Sequence, residues 1–195
     1  MFENFRKHLE KRISISNAEF AFITKKLIVK TFKKKEMILQ AGEVCKHQFY
    51  INRGCIRMFH TDEKGHEHVV LFGFEDWWTG DIMSFVTGQP ADYSIEALEE
   101  TEMIMMDRDD MEWMYAQIPK LERFFRILIQ NAFVAAQQRM IANMSKTAEE
   151  RYLMLIKKFP QIELRVTQHH IASYLGITPE ALSRTKKNII EKSKR

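Results

Sequence analysis

Cysteine is scarce in this sequence, and long apolar runs are missing from it. The 195 residues include only Cys45 and Cys55, which lie outside any CxxC pattern and are too few for an iron–sulfur cluster. We expect both to be free thiols in a reducing compartment, which favours a cytoplasmic location. No apolar run of about eighteen residues occurs, so we expect no membrane-spanning helix and no membrane partner. The charged N-terminus lacks the apolar region of a secretory signal.

Motifs that supply catalytic groups are also missing. The sequence contains no nucleophile elbow, no P-loop and no HExxH zinc motif. We therefore expect no enzymatic activity and no cofactor. His66 and His68 could begin a metal site in a cupin-like roll, but such a site needs a further Glu and His, and Glu75 is out of register. Exposed histidines beside a hairpin are the favoured interpretation, and we expect no metal site.

Positive charge is present, and it is concentrated in the C-terminal quarter. The whole chain carries 30 Lys and Arg against 26 Asp and Glu, a net charge of +4. Residues 146–195 hold eleven basic and five acidic residues, a net +6, whereas residues 1–145 hold nineteen and twenty-one, a net −2. Only the last quarter is therefore placed to attract a polyanion. A solvated basic tail is the alternative, and charge alone does not separate the two.

Short segments with strand character fill the region between residues 27 and 106. Alternating or apolar stretches are separated by turn residues, and the polar turn TDEKGHE (61–67) predicts a hairpin. The predicted strands are residues 27–32, 37–39, 47–51, 55–60, 69–74, 94–98 and 102–106. Seven short strands at this spacing are typical of an antiparallel barrel or a double-sheet roll.

Helices are predicted before and after the strands along the sequence, and one of these helices is long. Residues 3–12 and 16–26 form two short predicted helices, Ser16 and Glu19 having the spacing of a capping box. Residues 108–117 form a third, and residues 119–145 form the long one. Its apolar stripe comprises Leu121, Phe124, Phe125, Leu128, Ile129, Ala132, Phe133, Ala136, Met140 and Met144.

The length of that stripe favours a second copy of the chain as its partner. A helix of roughly 25 residues spans about 37 Å, more than one small roll can cover. Two such stripes can pack together, as in a coiled coil, so we expect a homodimer. Packing of the helix on its own domain explains only its first half.

Residues 167–189, TQHHIASYLGITPEALSRTKKNI, predict two short helices joined by a sharp turn. Gly176 lies where the turn requires a positive φ, and Leu175 belongs to the buried face of the first helix. Thr178 is placed to cap the second helix, with Pro179 in its first turn. These features are typical of a helix-turn-helix. A plain helical hairpin with a basic exposed face is the alternative.

The second of these helices carries polar residues suited to the major groove of DNA. Its outward residues are Thr178, Glu180, Ser183, Arg184 and Lys187. Arg184 could donate bidentately to guanine, and Glu180 could accept from a cytosine amino group. Phosphate contacts are expected from the remaining basic residues of the segment and tail, which are Lys186, Lys192, Lys194 and Arg195.

The order of these parts resembles the CRP/FNR superfamily of bacterial transcription regulators. The segments that carry the resemblance are ILQAGE (38–43), INRGCIRMF (51–59), DEKGHE (62–67), FEDWWTGD (74–81) and TQHHIASYLGITPEALSR (167–184). The resemblance covers nearly all of residues 28–189. It implies an α+β fold whose parts are a jelly-roll effector domain (a double-stranded β-helix) over residues 1–118, a dimerisation helix over 119–145 and a helix-turn-helix domain over 146–195.

The same resemblance implies double-stranded DNA and a second copy of the chain as partners. Glu180, Arg184 and Lys187 match positions that family members use on DNA, and Thr167 matches a phosphate contact. The function implied is that of a DNA-binding transcription regulator. A small-molecule-binding or cupin-like roll without sequence-specific DNA binding is the alternative function.

The apolar loop GDIMSFVTGQPADYS (80–94) departs from the family's phosphate-binding cassette. Cyclic-nucleotide-binding members carry Arg-Ser or Arg-Thr where Tyr93-Ser94 stands here. A buried cyclic phosphate would therefore lack its charge-assisted partner, and Asp81 would repel it. The cassette residues that would line an effector pocket are Gly80, Asp81, Ile82, Tyr93 and Ser94.

Two further departures concern the long helix and the DNA-binding end. Ala136 and Gln137 correspond to the positions that meet the adenine base, and they offer no hydroxyl pair. We expect an effector other than cyclic AMP, apolar or neutral, or none. Pro179 replaces an arginine in the first turn of the recognition helix. The sequence stops six residues after Ile189, so we expect no β-wing, and EKSKR could replace part of its contacts.

Overall fold

The computed structural model describes residues 2–193, which form a two-sheet roll between helical segments. In chain order the elements are α1 (Glu3–Glu10), α2 (Asn17–Thr24), β1 (Ile28–Phe32), β2 (Met37–Leu39), β3 (His47–Arg53), β4 (Ile56–Thr61), β5 (Glu67–Gly73), β6 (Trp77–Thr79), α3 (Ile82–Thr87), β7 (Ser94–Ala97), β8 (Thr101–Asp107), α4 (Arg108–Gln117), α5 (Lys120–Ser145), α6 (Ala148–Lys158), α7 (Ile162–Arg165), α8 (Gln168–Leu175) and α9 (Pro179–Ser193).

The roll consists of two antiparallel four-stranded sheets. One has the strand order β1-β8-β3-β6 and the other has the order β2-β7-β4-β5. The first strand pairs with the last, Ile28 lying opposite Met105, so neighbours in the sheet are distant in sequence. This is the topology of a jelly roll, and the predicted α+β fold is confirmed. Met103 and Met106 of β8 are buried in its core.

Two elements of the roll differ from the sequence-based expectation. Strand β6, Trp77–Thr79, was not predicted from the sequence. The interpretation of residues 80–94 as a loop was wrong over Ile82–Thr87, which form α3. Asp81 caps the first turn of this helix, and Gly88, with φ of 73°, ends it in the left-handed conformation.

The N-terminal helices pack on the roll beside β3 and β6. Phe5 of α1 is fully buried, and its ring meets Tyr50 edge-on with centroids 5.2 Å apart. The predicted capping box of α2 is confirmed, because the side chains of Ser16 and Glu19 each accept from the other's backbone N–H. Glu19 also pairs with Lys120 at 2.8 Å, which ties α2 to the start of α5.

Helix α5 is covered by its own chain over its first turns and partly uncovered beyond them. Leu121, Phe124 and Phe125 are buried in the core of the roll. From Ile129 onward the apolar stripe is exposed, as shown by Phe133 at 63% and Met144 at 83% exposure. The roll therefore covers only the first half of α5. This agrees with the prediction that a helix of this length extends beyond a single roll.

The C-terminal helices share a second core with the outer face of β4 and β5. Phe59, Val69 and Phe72 of these strands belong to one buried cluster with residues of α6 to α9, including Ile171 and Leu182. The helix-turn-helix segment is therefore held in a fixed position against the roll. The predicted domain divisions at residues 118 and 145 stay predictions. Within residues 2–193 we find no helix with the length and apolarity required to span a membrane.

Candidate functional site

The turn between α8 and α9 has the geometry expected of a helix-turn-helix. Thr167 caps α8 by accepting from the backbone N–H of His170 at 3.3 Å. Gly176 ends α8 with φ of 66°, which a side-chain-bearing residue adopts only with strain. Thr178 then accepts from the Ala181 N–H at 3.2 Å, and α9 begins at Pro179. The local features predicted for this segment are confirmed.

Close packing holds the two helices at that turn. Ala172 of α8 and Leu182 of α9 are fully buried in the second core. Ile177 of the turn packs against the same cluster, half-buried. Because Ala172 is small, the backbones can approach closely, so α9 is fixed by α8 and its opposite face is left to solvent.

Glu180, Ser183, Arg184 and Lys187 of the predicted DNA-binding set lie exposed on α9, whereas Thr178 precedes this helix and Thr167 caps α8. The exposed members of the predicted set are Thr167, Thr178, Glu180, Ser183, Arg184 and Lys187. Hydrogen bonds from its own backbone N–H and from Thr178 lower the pKa of Glu180, so this carboxylate is ionised and accepts hydrogen bonds. The surface thus combines cationic donors with one anionic acceptor.

Two of the predicted phosphate contacts are engaged within the chain. Lys186 is half-buried and pairs with Glu163 of α7. Lys192 pairs with Glu149 of α6 at 2.8 Å. Lys194 and Arg195 lie outside the described residues. Arg184, Lys187 and Lys192 are the predicted cations that lie exposed on the described part of α9, and Lys187 also lies 4.0 Å from Glu191.

The cassette at residues 80–94 is closed by its own hydrogen bonds. Asp81 is buried, and one of its oxygens accepts from the Ser84 N–H at 2.9 Å. The other oxygen accepts from the backbone N–H groups of Asp92 at 3.0 Å and Tyr93 at 3.3 Å. Ser94 accepts from the Ala41 N–H at 3.0 Å. Three backbone donors of the cassette are thus already bound to a carboxylate of the chain itself.

The structure brings together only part of the predicted effector set. Gly80 has φ of 152°, and a Cβ there would lie 3.1 Å from the Gln48 side chain. Tyr93 is half-buried against the core of the roll, whereas Ile82 is exposed on α3. Ala136 and Gln137 are exposed on α5, and the hydrogen bonds described above do not include them. The assignment of an effector pocket to these residues stays a prediction.

Two histidines of the roll approach a carboxylate, and the two cysteines of the chain are free thiols. His66 and His68 are exposed, and both approach the same oxygen of Asp62, at 3.4 and 3.0 Å. Between residues 2 and 193 no three His, Cys, Asp or Glu side chains are grouped so as to hold a metal ion. Cys45 and Cys55 are buried free thiols, and burial raises the pKa of Cys55 to about 12.

Comparison with known proteins shows relatives of both the sequence and the fold. Residues 29–118 match the family described as Cyclic nucleotide-binding domain. Over 168 residues the chain is 26% identical to Electron transport regulator A of Shewanella oneidensis and 25% identical to the Fumarate and nitrate reduction regulatory protein of Vibrio cholerae. The structure of FixK2 from Bradyrhizobium japonicum matches with a TM-score of 0.75 at 18% identity, over 86% of each chain. These likenesses agree with the resemblance of the sequence motifs to the CRP/FNR superfamily.

The two curated relatives are longer than the segment that they share with this chain. Each match covers 80% of this chain and 66% of the relative, so the chain spans just under two thirds of their length. Both relatives are named as regulators, and the cupin-like enzymatic alternative finds no support in them. The likeness to FixK2 shows the fold alone.

One set of ion pairs in the structure gave no signal in the sequence. Arg165 of α7 donates two hydrogen bonds to Glu75, at 2.7 and 2.8 Å, and also pairs with Glu99. These ion pairs raise the pKa of Arg165 and join the helix-turn-helix end to two turns of the roll. Glu75 is ninety residues away along the chain, so only the fold brings the partners together.

Proposed function

We propose that this chain is a transcription regulator of the CRP/FNR type that binds double-stranded DNA with α9 in the major groove. The observation that carries the proposal is the exposed row of Glu180, Ser183, Arg184 and Lys187 on a helix held rigidly by α8. Arg184 has the donor geometry for guanine, and Glu180 is an acceptor for a cytosine amino group. A cytoplasmic location, where bacterial DNA lies, follows from this proposal.

The proposed partner of α5 is a second copy of the same chain. Ile129, Phe133, Met140 and Met144 lie exposed on one side of the helix, and water is an unfavourable environment for so many large apolar side chains in a row. Pairing of two such helices would place two copies of α9 side by side. The expected DNA site is then pseudo-palindromic, with half-sites about one helical turn apart.

We propose that cyclic AMP is not an effector of this chain. A cyclic phosphate in the cassette would compete with Asp81 for the backbone donors of Asp92 and Tyr93. It would also bring a second negative charge beside Asp81, with Tyr93 in the place of an arginine. The hydrogen bonds that Asp81 accepts within the cassette support the proposal that cyclic AMP does not bind there.

Calorimetric titration of the purified chain with cyclic AMP tests the effector proposal. We expect no saturable heat at micromolar nucleotide. Binding in the micromolar range would contradict the proposal, because it would require the cassette to open and to tolerate the phosphate without an arginine.

Substitution of the recognition helix tests the DNA-binding proposal. A preferred duplex is first selected from a randomised library, and its affinity is measured by fluorescence anisotropy. We expect Arg184→Gln to weaken this duplex roughly ten-fold or more and to relax its sequence preference, since a bidentate base contact is lost. Arg53→Gln, an exposed arginine on the roll, serves as the matched control and should bind as the parent does. Equal affinity of Arg184→Gln and the parent would refute the role given to α9.

A further inference from the structure

A cavity of about 130 Å³ lies between α5, α6 and α8, where the long helix meets the helix-turn-helix domain. Its apolar walls include Ala135 and Ala142 of α5, Leu155 of α6 and Leu175 of α8. This volume corresponds to about four water molecules at ~30 Å³ each. It is well below the ~300 Å³ at which pockets for drug-sized molecules begin. An occupant must therefore have few non-hydrogen atoms.

Three cationic side chains line this cavity, and no Asp or Glu among the described residues does so. They are Arg139 of α5 and Arg151 and Lys158 of α6. Arg139 lies over the ring of Tyr174 at 4.2 Å and donates to the Val69 carbonyl at 3.4 Å. Because positive charge gathers here without an acidic wall residue, the cavity favours an anion.

Arg151 carries a donor that the chain does not satisfy. Its two terminal nitrogens donate to the carbonyl oxygens of Asn143, Lys146 and Leu175, at 3.3, 3.1 and 3.0 Å. Its Nε is buried and has no hydrogen-bond partner. An unpaired buried donor costs free energy, and more so on a charged group. An oxygen of a bound ligand would remove that cost.

Lys158 lies near Arg139 in the same cavity, and the two positive charges repel each other. Although Lys158 is exposed along much of its length, desolvation of its ammonium group and, secondarily, the charge of Arg139 lower the pKa of that group. The ammonium nitrogen lies 4.9 Å from the centre of the Trp77 ring, so its nearest stabilising neighbour is an aromatic face rather than a carboxylate. A bound anion would offset the repulsion between Lys158 and Arg139.

We propose that this cavity is a binding site for a small organic anion, namely a short-chain carboxylate. The carboxylate oxygens would accept from Arg139, Arg151 and Lys158, and the hydrocarbon part would contact the apolar walls. The site is distinct from the cassette around Asp81, whose residues do not line the cavity. Because it touches α5, α6 and α8 at once, the bound anion would hold the helix-turn-helix against the long helix.

Ligand titration of the full chain tests the proposal in the absence of DNA, so the outcome does not depend on the DNA-binding proposal. The probes are butyrate, succinate, inorganic phosphate and the neutral butyramide. Tryptophan fluorescence reports on Trp77 beside Lys158, and thermal unfolding gives a second readout. We expect saturable binding and a raised melting temperature with butyrate or succinate, and neither effect with butyramide.

Variants of the wall residues decide whether the carboxylate binds in this cavity. Arg139→Gln and Lys158→Gln should each weaken carboxylate binding about ten-fold or more, because each removes a charged donor. Lys157→Gln is the matched control, since Lys157 is exposed and does not line the cavity. Arg151 is left intact because its carbonyl contacts join α5, α6 and α8.

Three results would overturn the proposal. The first is the lack of saturable binding of either carboxylate in the millimolar range. The second is equal binding of butyramide, or unchanged affinity in both wall variants. The third is a response to phosphate without a response to carboxylates, which would make this an inorganic oxyanion site.

Discussion

At the scale of single residues, His8 joins the N-terminal helix to the roll through two hydrogen bonds. The indole N–H of Trp78 donates to Nε2 of His8 at 3.0 Å, and Nδ1 of His8 meets Asp76 at 2.6 Å. With Nε2 as acceptor the ring is neutral, and its Nδ1–H donates to the carboxylate. Burial lowers the pKa of His8, although the charge of Asp76 opposes that shift.

The neutral state of His8 predicts a pH dependence of stability. The unfolded chain takes up this proton near the ordinary pKa of about 6.5, before the folded chain does. The free energy of unfolding should therefore fall as the pH decreases from 6.5 through the lowered pKa of the folded state. Urea unfolding at a series of pH values measures this slope.

His8→Gln should remove the His8 contribution to that slope, since a glutamine amide can replace both hydrogen bonds without titrating. His66→Gln, on the exposed hairpin, is the control variant and should follow the parent's profile. A His8→Gln profile identical to that of the parent would contradict this account of His8.

At the scale of elements, the features best predicted from the sequence are those that depend on residues close together along the chain. The helix-turn-helix was predictable because Gly176 and Thr178 act within a few residues of their own positions. Helix α3 was missed because its six residues are too short for a helical period to show. The pairing of Arg165 with Glu75 and Glu99 depends on the packed roll, and no local pattern encodes it.

The exposed stripe of α5 predicts that one charge will disrupt the proposed dimer. Phe133 is 63% exposed in the single chain, so Phe133→Glu should leave the fold intact while placing a carboxylate in the apolar helix pair. We expect the variant to sediment as a monomer where the parent sediments as a dimer. Asn131→Glu, exposed on another side of the helix, is the matched control and should remain dimeric. A dimeric Phe133→Glu, or a monomeric parent, would contradict the proposed helix pairing.

At the scale of the whole molecule, the two ends are joined firmly and differ in charge. The second core and the Arg165 ion pairs fix α8 and α9 against the roll. Residues 146–195 carry a net charge of +6 in the sequence, and the described part of this basic segment, which ends at residue 193, is held on one side of the roll. In the proposed DNA complex, attraction to the phosphates would supply affinity, and the exposed face of α9 would supply sequence preference.

The central claim is sequence-specific DNA binding, and competition between a selected duplex and random DNA tests it most directly. The affinity of the purified chain for both is measured at physiological salt, ~0.15 M, and again over a salt series. The account predicts a preference for the selected pseudo-palindromic site of about a thousand-fold or more, with both affinities falling steeply as salt rises. Equal affinity for the selected duplex and random DNA at physiological salt would contradict it.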